Sequence, residues 1–336
     1  MPDITEEQIK QTWNNQCLKP KVSICCISFN QEEYIKKTID SFLAQKTSFA
    51  FEIVISDDVS TDKTAEIIQK YARKYPSVIN FLDNKENLGA NNNFLRAINN
   101  AKGEYIAFCE GDDYWIDVNK LQIQYTAMLE RPEVNFSFHP CFLNINNKLQ
   151  KRIAYKKGSQ EKIVEARSVL SSLNQFSPTA SYMFKREVIG ELPEWFALAP
   201  VGDLFIELYC MRNGGGLYLP KPMSVYRVSS IGSWTNSTQQ NVDRYTKRHL
   251  ALIDSLRLAE LDFPDERKSF TIKIAYIYLS LAIRMLKQRD YDAFRIYITN
   301  ATTAKGFLSI KHCILYMLKS RPALLNRLLS IKKLIK

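Results

Sequence analysis

The chain contains few histidines, and its cysteines lack the spacing of a metal site. Three histidines occur in 336 residues, and the seven cysteines are scattered without a C-x-x-C pair. This spacing matches neither a zinc site nor the disulfide framework of a small secreted domain. Cys25, Cys26 and Cys109 fall in apolar runs typical of strands, and free buried thiols of this kind indicate a reducing compartment.

Long apolar runs are also missing. No uninterrupted apolar stretch approaches the ~20 residues of a membrane-spanning helix. The polar extension formed by residues 1–19 has no apolar core like that of a signal peptide. We therefore expect a cytoplasmic protein.

The glycine-rich loops that bind phosphate in several enzyme classes do not occur. Neither G-x-G-x-x-G nor G-x-x-x-x-G-K-[ST] is present, which excludes a Rossmann-type oxidoreductase and a P-loop enzyme. A sugar nucleotidyltransferase is disfavoured for a related reason. Gln31, Glu32 and Glu33 stand where its glycine-rich loop would follow the first strand.

Acidic residues are absent from the C-terminal end. Residues 1–235 hold 27 basic and 27 acidic side chains, whereas residues 236–336 hold 19 basic and 8 acidic ones, which accounts for the net charge of +11. After Asp292 no acid occurs, while basic residues continue to Lys336. Such an asymmetry indicates an anionic partner, either a membrane surface or a nucleic acid. A neutral, carboxylate-rich first part does not fit a nucleic-acid-binding protein, so we expect no nucleic-acid partner.

Short apolar runs alternate with helical patterns up to Lys120. Each run is followed by apolar residues spaced three to four apart, the pattern of a strand and then a helix. This alternation indicates an α/β fold with a mainly parallel sheet flanked by helices, whose ligands lie outside the carboxyl ends of the strands. The predicted strands are 22–28, 51–55, 78–82 and 105–109, and the predicted helices are 32–45, 62–75 and 89–100.

The pattern is looser beyond Lys120. From about residue 241 it is helical throughout. Before that point we predict a helix to Glu130, a polar excursion at 144–162, a helix at 203–212, and strands at 134–141, 180–184 and 224–228.

Two groups of carboxylates stand at the ends of predicted strands. Asp57 and Asp58 end the second strand, and Glu110, Asp112 and Asp113 follow the fourth. Either group alone is explained by caps and turns, where Asp is common. Two groups at one sheet edge repel each other unless a cation neutralises them, and hard ions such as Mg²⁺ and Mn²⁺ take oxygen ligands. We therefore expect a divalent cation at this edge.

Five short stretches stand out as a combination. They are VSICCISFN at 22–30, EIVISDDVSTDKT at 52–64, NLG at 87–89, KGEYI at 102–106 and EGDDYW at 110–115. Together they resemble the family 2 glycosyltransferases of the GT-A fold. The resemblance covers residues 20 to about 235. It implies a GT-A domain at 20–235, with a nucleotide-sugar-binding half (20–120) and an acceptor half (121–235), followed by a basic helical region at 236–336.

The resemblance implies roles for the positions that match. Ser28 and Asn30 would lie by the nucleotide, and Asp58 would contact its uracil or ribose. Asp112 would bind the ribose, and Asp113 would bind the Mn²⁺ or Mg²⁺ ion that bridges the diphosphate. Glu110 departs from the family pattern, because many relatives have Asp there, and its role is left open.

Asp203 is the candidate catalytic base. The resemblance implies a single inverting displacement in which one carboxylate removes the proton of the acceptor hydroxyl. Asp203 opens a predicted helix that is followed by a strand with Tyr226-Arg227, as in relatives, and Glu207 is the reserve candidate. The alternative for Asp203 is a carboxylate that only interacts with the helix dipole. Arg227 would bind the donor diphosphate or form a structural ion pair.

Three residues are expected at the acceptor. Thr179 and Ser181 match positions that shape the acceptor pocket in relatives. Trp115 can stack on a sugar, although aromatic side chains more often pack in the core. His139 is interpreted as a core histidine, because no second ligand stands at a zinc-site spacing.

The sequence therefore predicts a metal-dependent, inverting glycosyltransferase. Its donor is a nucleotide-diphosphate sugar, with UDP favoured by family frequency. Its acceptor is an oligosaccharide or lipid-linked hydroxyl in bacterial surface-polysaccharide synthesis. A non-catalytic scaffold that binds sugar nucleotide is the alternative, and a sugar nucleotidyltransferase is less favoured. The basic C-terminal helices either pack on the protein or bind an anionic membrane, and their one-sided charge favours a peripheral position on the inner face of the cell membrane.

Overall fold

The computed structural model describes residues 4–13, 19–228 and 241–326. The chain divides into two units. Residues 1–169 and 175–239 form one, which we call the sheet unit, and residues 170–174 and 240–336 form the other, the helical unit. The end of the basic C-terminal region, residues 327–336 with Lys336, lies outside the described ranges.

The sheet unit is built on a mixed sheet of eight strands. These are β1 (Val22–Ser28), β2 (Phe51–Asp57), β3 (Ile79–Asp83), β4 (Tyr105–Phe108), β6 (Phe136–Phe138), β9 (Lys162–Val164), β10 (Met183–Lys185) and β11 (Gly216–Tyr218). Their order is β3-β2-β1-β4-β10-β6-β11-β9. The first four strands in that order are parallel, and β10 is antiparallel to both its neighbours. The predicted α/β class with a mainly parallel nucleotide-binding half is confirmed.

A second sheet of four strands completes the unit. It contains β5 (Tyr114–Trp115), β7 (Cys141–Ile145), β8 (Lys148–Ala154) and β12 (Ser224–Val228), in the order β5-β12-β7-β8. β5 directly follows the EGDD stretch and pairs antiparallel with β12. This pairing brings Arg227, on β12, beside the carboxylates of residues 110–113.

Two expectations beyond Lys120 are wrong in detail. The predicted strand 134–141 is two strands in different sheets, β6 and β7, separated by Pro140, which has no N–H to donate to a ladder. The predicted polar excursion 144–162 contains β8, an edge strand that pairs antiparallel with β7. Most of the β8 side chains are exposed, so the alternation of buried and exposed residues that reveals a strand is weak there.

Helices flank the sheets because their apolar faces are buried. In α2 the buried side chains are Ile35, Thr38, Ile39, Phe42 and Leu43, while Lys36 and Lys37 on the other face are exposed. β2 is buried along its whole length, as expected for a central parallel strand. The helices of this unit are α1 (Glu6–Lys10), α2 (Ile35–Leu43), α3 (Thr64–Lys74), α4 (Ala90–Asn99), α5 (Lys120–Leu129) and α7 (Gly202–Cys210), and α6 (Arg167–Ser171) lies at its border.

Three cysteines belong to this core. Cys25 and Cys26 in β1 and Cys109 after β4 are buried free thiols, as expected from their apolar surroundings. Burial raises the pKa of each thiol well above its ordinary value. These thiols are therefore protonated and act as small apolar side chains.

The KGE stretch joins the start of β4 to the start of β1. Ser23 Oγ donates to Glu52 Oε1 at 2.6 Å, and the amides of Lys102 and Gly103 donate to Glu52 Oε1 and Ser23 Oγ at 2.6 and 2.8 Å. A Cβ atom at Gly103 would lie 2.5 Å from the backbone nitrogen of Ser23. Only glycine lets the two segments approach this closely.

The helical unit contains α8 (Val242–Glu260), α9 (Arg267–Gln288), α10 (Tyr291–Lys305) and α11 (Ile310–Met317). Arg289, at φ 64°, ends α9 in the left-handed conformation, and Asp290 caps α10 by accepting from the amide of Ala293. Two residues therefore separate α9 from α10, and the two helices form a hairpin.

One helix in the described residues has the length and composition of a membrane span. It is the segment Pro264–Gln288, which includes α9. Of its most apolar window, 61% is buried inside the protein. A core helix of a globular protein passes the same test, so length and composition alone do not identify a span.

Candidate active site

A buried carboxylate ties the ends of the first two strands together. Asp57 Oδ1 accepts from Ser28 Oγ at 2.9 Å and from Ser60 Oγ at 2.6 Å, and its Oδ2 accepts from the Ser60 amide at 2.8 Å. Asp57 is completely buried. It therefore stabilises the loops at this edge, and Ser28 lies at the carboxyl end of β1 with its hydroxyl donated to Asp57.

The loop after β1 is fixed to the loop after β2. Asn30 adopts φ 53°, a conformation that asparagine tolerates. Its amide donates to Ser60 Oγ at 2.8 Å, and its Oδ1 accepts from the Thr61 amide at 2.7 Å. Phe29, between Ser28 and Asn30, is 44% exposed. Sequence reasoning missed Phe29, and the available signal was one aromatic residue directly after a buried strand.

Asp58 organises the NLG stretch. Its Oδ1 and Oδ2 accept from the backbone amides of Leu88 and Gly89 at 2.7 and 3.0 Å, and its carbonyl accepts from Asn87 Nδ2 at 2.9 Å. Asn84 Nδ2 adds a contact of 3.3 Å to Oδ1. The side chain is 5% exposed. The Asp58 carboxylate thus accepts hydrogen bonds from the loop before α4, a contact that the sequence did not predict.

Three carboxylates follow β4 within four residues, and we call residues 110–113 the acid loop. Asp113 is completely buried, and its Oδ1 accepts from the Arg227 amide at 2.8 Å. Its Oδ2 is buried and has no hydrogen-bond partner. Thr38 Oγ1 donates to the carbonyls of Gly111 and Asp113 at 2.8 and 2.5 Å, so α2 holds the acid loop from below.

The carboxylates of the acid loop raise one another's pKa. Burial, followed by the charges of Asp112 and Asp203, raises the pKa of Glu110 to about 8. Burial, followed by the charges of Asp112 and Glu110, raises the pKa of Asp113 well above its ordinary value. The charge of Asp203, at the start of α7, therefore acts on Glu110 in the acid loop.

Arg227 lies against this loop between two aromatic rings. Its guanidinium carbon is 4.9 Å from the ring centre of Tyr34 and 4.7 Å from that of Tyr114. Its Nη1 donates to the carbonyl of Asp112. Lys37 Nζ also lies over the Tyr114 ring, 3.7 Å from its centre. Two cations therefore stand beside the acid loop, and their cation–π contacts orient them.

The start of α7 is positioned by α4. Asn91 Nδ2 donates to the carbonyls of Phe196 and Ala199 at 2.9 and 2.8 Å. A Cβ atom at Gly202 would lie 2.3 Å from Asn91 Oδ1, so a larger residue here would displace the Asn91 side chain. Asp203 follows, is half-buried, and accepts from the Leu204 amide at 2.9 Å.

Glu207, the reserve candidate for the base, is a buried anchor. It is 1% exposed, and its Oε1 accepts from the Ser177 amide, Ser177 Oγ and Tyr182 OH at 3.0, 2.6 and 2.7 Å. Burial, with the charge of Asp203, raises the pKa of Glu207 to about 8. Its bonds hold the segment before β10, and they favour Asp203 as the carboxylate that meets substrate.

The three expected acceptor residues are in different surroundings. Thr179 Oγ1 donates to Glu110 Oε2 at 3.2 Å, so Thr179 belongs to the acid-loop site. Ser181 is completely buried and donates to the carbonyl of Pro178 at 2.6 Å. Trp115 is 4% exposed, and its Nε1 donates to the carbonyl of Ala180 at 2.9 Å. The structure favours the core-packing alternative for Trp115. The Ser181 hydroxyl is likewise used in a buried hydrogen bond to the backbone.

His139 is a core histidine. It is completely buried, and its Nδ1 lies 2.9 Å from the carbonyl of Pro140, which identifies that nitrogen as the donor. Burial lowers the pKa of His139 well below its ordinary value. The neighbouring Lys120 is also completely buried and donates to Gln124 Oε1 at 2.6 Å.

The carboxylates fit a cation whose coordination a substrate completes. Among residues 4–13, 19–228 and 241–326, no three acidic, histidine or cysteine side chains converge as a self-sufficient metal site. Asp113 nevertheless offers an unsatisfied buried oxygen, and Asp112 and Glu110 add negative charge. Magnesium in proteins is usually held by one or two carboxylates plus substrate phosphates. This donor set fits that arrangement.

The geometry brings together most of the predicted site residues. Ser28 and Asn30 lie at the carboxyl end of β1, and the Gly111 amide, in the acid loop, donates to the carbonyl of Ile27 in the same strand. The acid loop in turn contacts Arg227, and the charge of Asp203 raises the pKa of Glu110 in this loop. An exposed aromatic ring, an arginine and a group of carboxylates can bind a base, a phosphate group and a cation.

Sequence comparison identifies similar proteins. The profile described as "Glycosyl transferase family 2" matches residues 23–191. An uncharacterized protein of Mycobacterium tuberculosis is 34% identical over 63% of this chain, and the match spans 60% of that relative's own length. The GalNAc(5)-diNAcBac-PP-undecaprenol beta-1,3-glucosyltransferase of Campylobacter jejuni is 23% identical over 93% of this chain and 94% of its own.

Solved structures share the fold. The S. aureus protein TarS, residues 1–349 in complex with UDP, has a TM-score of 0.60 at 17% identity and covers 91% of this chain and 88% of its own. The mannosyltransferase PcManGT of Pyrobaculum calidifontis, in complex with GDP-Man and Mn²⁺, has a TM-score of 0.56 at 15% identity and covers 91% and 85%.

We predict that Glu110→Gln stabilises the cation-free protein increasingly as pH rises. A carboxyl whose pKa is higher in the folded state stabilises the fold while protonated, and this stabilisation is lost as pH rises from about 4.5 through about 8. Glutamine does not ionise, so the side chain at position 110 stays neutral at every pH in the variant. Thermal unfolding in chelator should show a larger gain in Tm for the variant at pH 9 than at pH 5.

Glu130→Gln is the matched control, because Glu130 is exposed at the end of α5. Its Tm difference from wild type should change little between the two pH values. A Glu110→Gln difference that is equally independent of pH contradicts the assignment of a repelled carboxyl at this position.

Proposed function

Because this chain belongs to glycosyl transferase family 2, we propose that it transfers a sugar from a nucleoside-diphosphate donor to an acceptor hydroxyl. The observation that carries the proposal is the acid loop at the carboxyl edge of the parallel sheet, where Arg227 contacts Asp112 and the charge of Asp203 acts on Glu110. Ligands of such sheets bind outside the carboxyl ends of their strands. A scaffold that only binds sugar nucleotide would not need the Asp203 carboxylate.

The nucleoside would bind at the ends of β1 and β2. Phe29 is exposed at this edge and offers a face on which a base can stack, while Asn30 and Asp58 shape the loops around it. Asp112 is the carboxylate proposed for the ribose hydroxyls. UDP is the proposed nucleotide, and the fold relative TarS was solved with UDP.

The diphosphate would bind at the acid loop. Arg227, oriented by Tyr34 and Tyr114, can donate to phosphate oxygens through a guanidinium with five N–H donors. Asp113 would hold Mn²⁺ or Mg²⁺, with Glu110 and Asp112 contributing charge. When bound, such a cation stabilises the charge that develops on the departing diphosphate. The mannosyltransferase of similar fold was solved with Mn²⁺.

Asp203 is the proposed base. It stands half-buried at the first turn of α7, at the positive end of the helix dipole. The ionised carboxylate accepts the proton of the acceptor hydroxyl while the oxygen of that hydroxyl bonds to the anomeric carbon and the bond to the diphosphate breaks. Attack opposite the leaving group inverts the configuration at that carbon.

The acceptor is proposed to be a lipid-linked saccharide in bacterial surface-polysaccharide synthesis. The C. jejuni relative is named for a PP-undecaprenol substrate and matches most of this chain. Among the acceptor candidates, Thr179 donates a hydrogen bond to Glu110 of the acid loop. Synthesis on the cytoplasmic face of the membrane follows from such an acceptor and from a nucleotide donor.

A donor-hydrolysis screen over UDP-, GDP- and dTDP-sugars, with Mn²⁺ or Mg²⁺, tests this function. We expect release of nucleoside diphosphate with at least one donor and its loss in excess chelator.

Asp113→Asn should abolish turnover, because the amide keeps an oxygen acceptor for the Arg227 amide but removes the charge. Asp83→Asn, an exposed carboxylate at the end of β3, is the matched control and should keep wild-type turnover. Full activity of Asp113→Asn, or of wild type in chelator, refutes the cation assignment.

We predict that Asp203→Asn lowers kcat by about 10² or more with donor KM nearly unchanged, as expected when a general base is removed. Its Tm should stay close to that of wild type. Glu207→Ala serves as the contrast, because it removes the buried acceptor of three hydrogen bonds and should lower Tm. A collapse of donor binding in Asp203→Asn would identify Asp203 as a structural residue instead.

A further inference from the structure

Helix α11 carries an apolar face that the described residues leave uncovered. Ile310, Ile314 and Met317 are 82%, 49% and 69% exposed. Their spacing of four and three residues places them on one side of the helix. Phe307, just before the helix, is 52% exposed. We call these four residues the apolar face.

The opposite side of α11 fixes this orientation. His312 and Leu315 are buried, and His312 Nδ1 accepts from the Leu308 amide at 3.2 Å. Its Nε2 therefore carries the proton and donates to Thr302 Oγ1 on α10 at 3.0 Å. Burial lowers the pKa of His312, which favours this neutral form. The helix is held on α10 with the apolar face outward.

In the sequence, the charged residues that flank the apolar face have one sign. No acidic residue follows Asp292 in the sequence. Lys305, Lys311 and Arg321 are exposed near the apolar face in sequence, and Lys319 is half-buried. A helix with one apolar side and basic flanks is typical of proteins that bind anionic lipid surfaces.

Two other occupants fit less well. Packing against the described residues 4–13, 19–228 and 241–326 would bury these side chains, yet the four are between 49% and 82% exposed. A second copy would bring two basic surfaces together, which repel each other. An anionic membrane surface can take up the apolar side chains and also attract the basic side chains that flank them.

We propose that the apolar face of α11 inserts into the interface of an anionic membrane, with Lys305, Lys311 and Arg321 contacting lipid headgroups. This binding does not depend on catalysis. Membrane binding would bring the enzyme to a lipid-linked acceptor, which is found at that surface. Only this connection to the acceptor rests on the proposed function.

The test is sedimentation of the full chain with vesicles of phosphatidylglycerol and phosphatidylcholine, and with phosphatidylcholine alone. We expect binding to the anionic vesicles at low salt and at least tenfold weaker binding to the neutral ones or at high salt. The triple variant Ile310→Ser/Ile314→Ser/Met317→Ser should lose at least tenfold in affinity, and Lys305→Gln/Lys311→Gln/Arg321→Gln should lose a similar factor. Leu261→Ser is the matched control, because Leu261 is 74% exposed but lies between Glu260 and Asp262.

Donor hydrolysis without vesicles separates this proposal from the proposed function. Both triple variants should hydrolyse donor at the wild-type rate, which also shows that they are folded. Wild-type affinity of the apolar variant, or equal binding to neutral and anionic vesicles, overturns the proposal. Vesicle-free self-association that only the apolar variant loses also overturns it and assigns the face to a second copy. Absence of hydrolysis in wild type with intact vesicle binding refutes the enzyme and leaves the membrane surface standing.

Discussion

Repulsion among carboxylates at one sheet edge is the constraint on which the rest of the site depends. Burial is the largest cause of the raised pKa of Glu110 and of Asp113; the charge of Asp112 raises both further, and that of Asp203 raises the pKa of Glu110. The protein offsets part of the repulsion with the Arg227 guanidinium and with hydrogen bonds from Thr179 and from backbone amides. The unsatisfied oxygen of Asp113 remains. A bound cation and diphosphate would remove the remaining cost, and the free energy released would contribute to donor binding.

The surrounding structure holds these charges at fixed positions. Thr38 on α2 supports the acid loop from one side, and the pairing of β5 with β12 brings Arg227 to the other. At the neighbouring strand ends, Asp57 and Asp58 are used as internal hydrogen-bond acceptors. The two carboxylate groups recognised in the sequence therefore differ in kind, since one stabilises loops and the other presents charge.

The parts predictable from sequence were those determined by local pattern. Alternating strands and helices before Lys120 predicted the parallel half of the sheet, because each element shows its own periodicity. Strand β8 was missed, since an exposed edge strand has little apolar alternation. The hydrogen bonds of Asp58 and the burial of Trp115 were equally inaccessible, because they depend on segments about 30 and 65 residues away in sequence. Phe29 was also missed, because its exposure in the folded protein, and not its residue type, identifies it as a candidate for stacking on a base.

The most direct test of this account is calorimetric titration of UDP into the protein in chelator and in Mn²⁺. If the acid loop is completed by a cation that the diphosphate shares, each ligand strengthens the binding of the other, as linkage requires. We expect UDP to bind at least tenfold more tightly in Mn²⁺. Equal affinity under the two conditions would contradict a cation-completed diphosphate site at the acid loop.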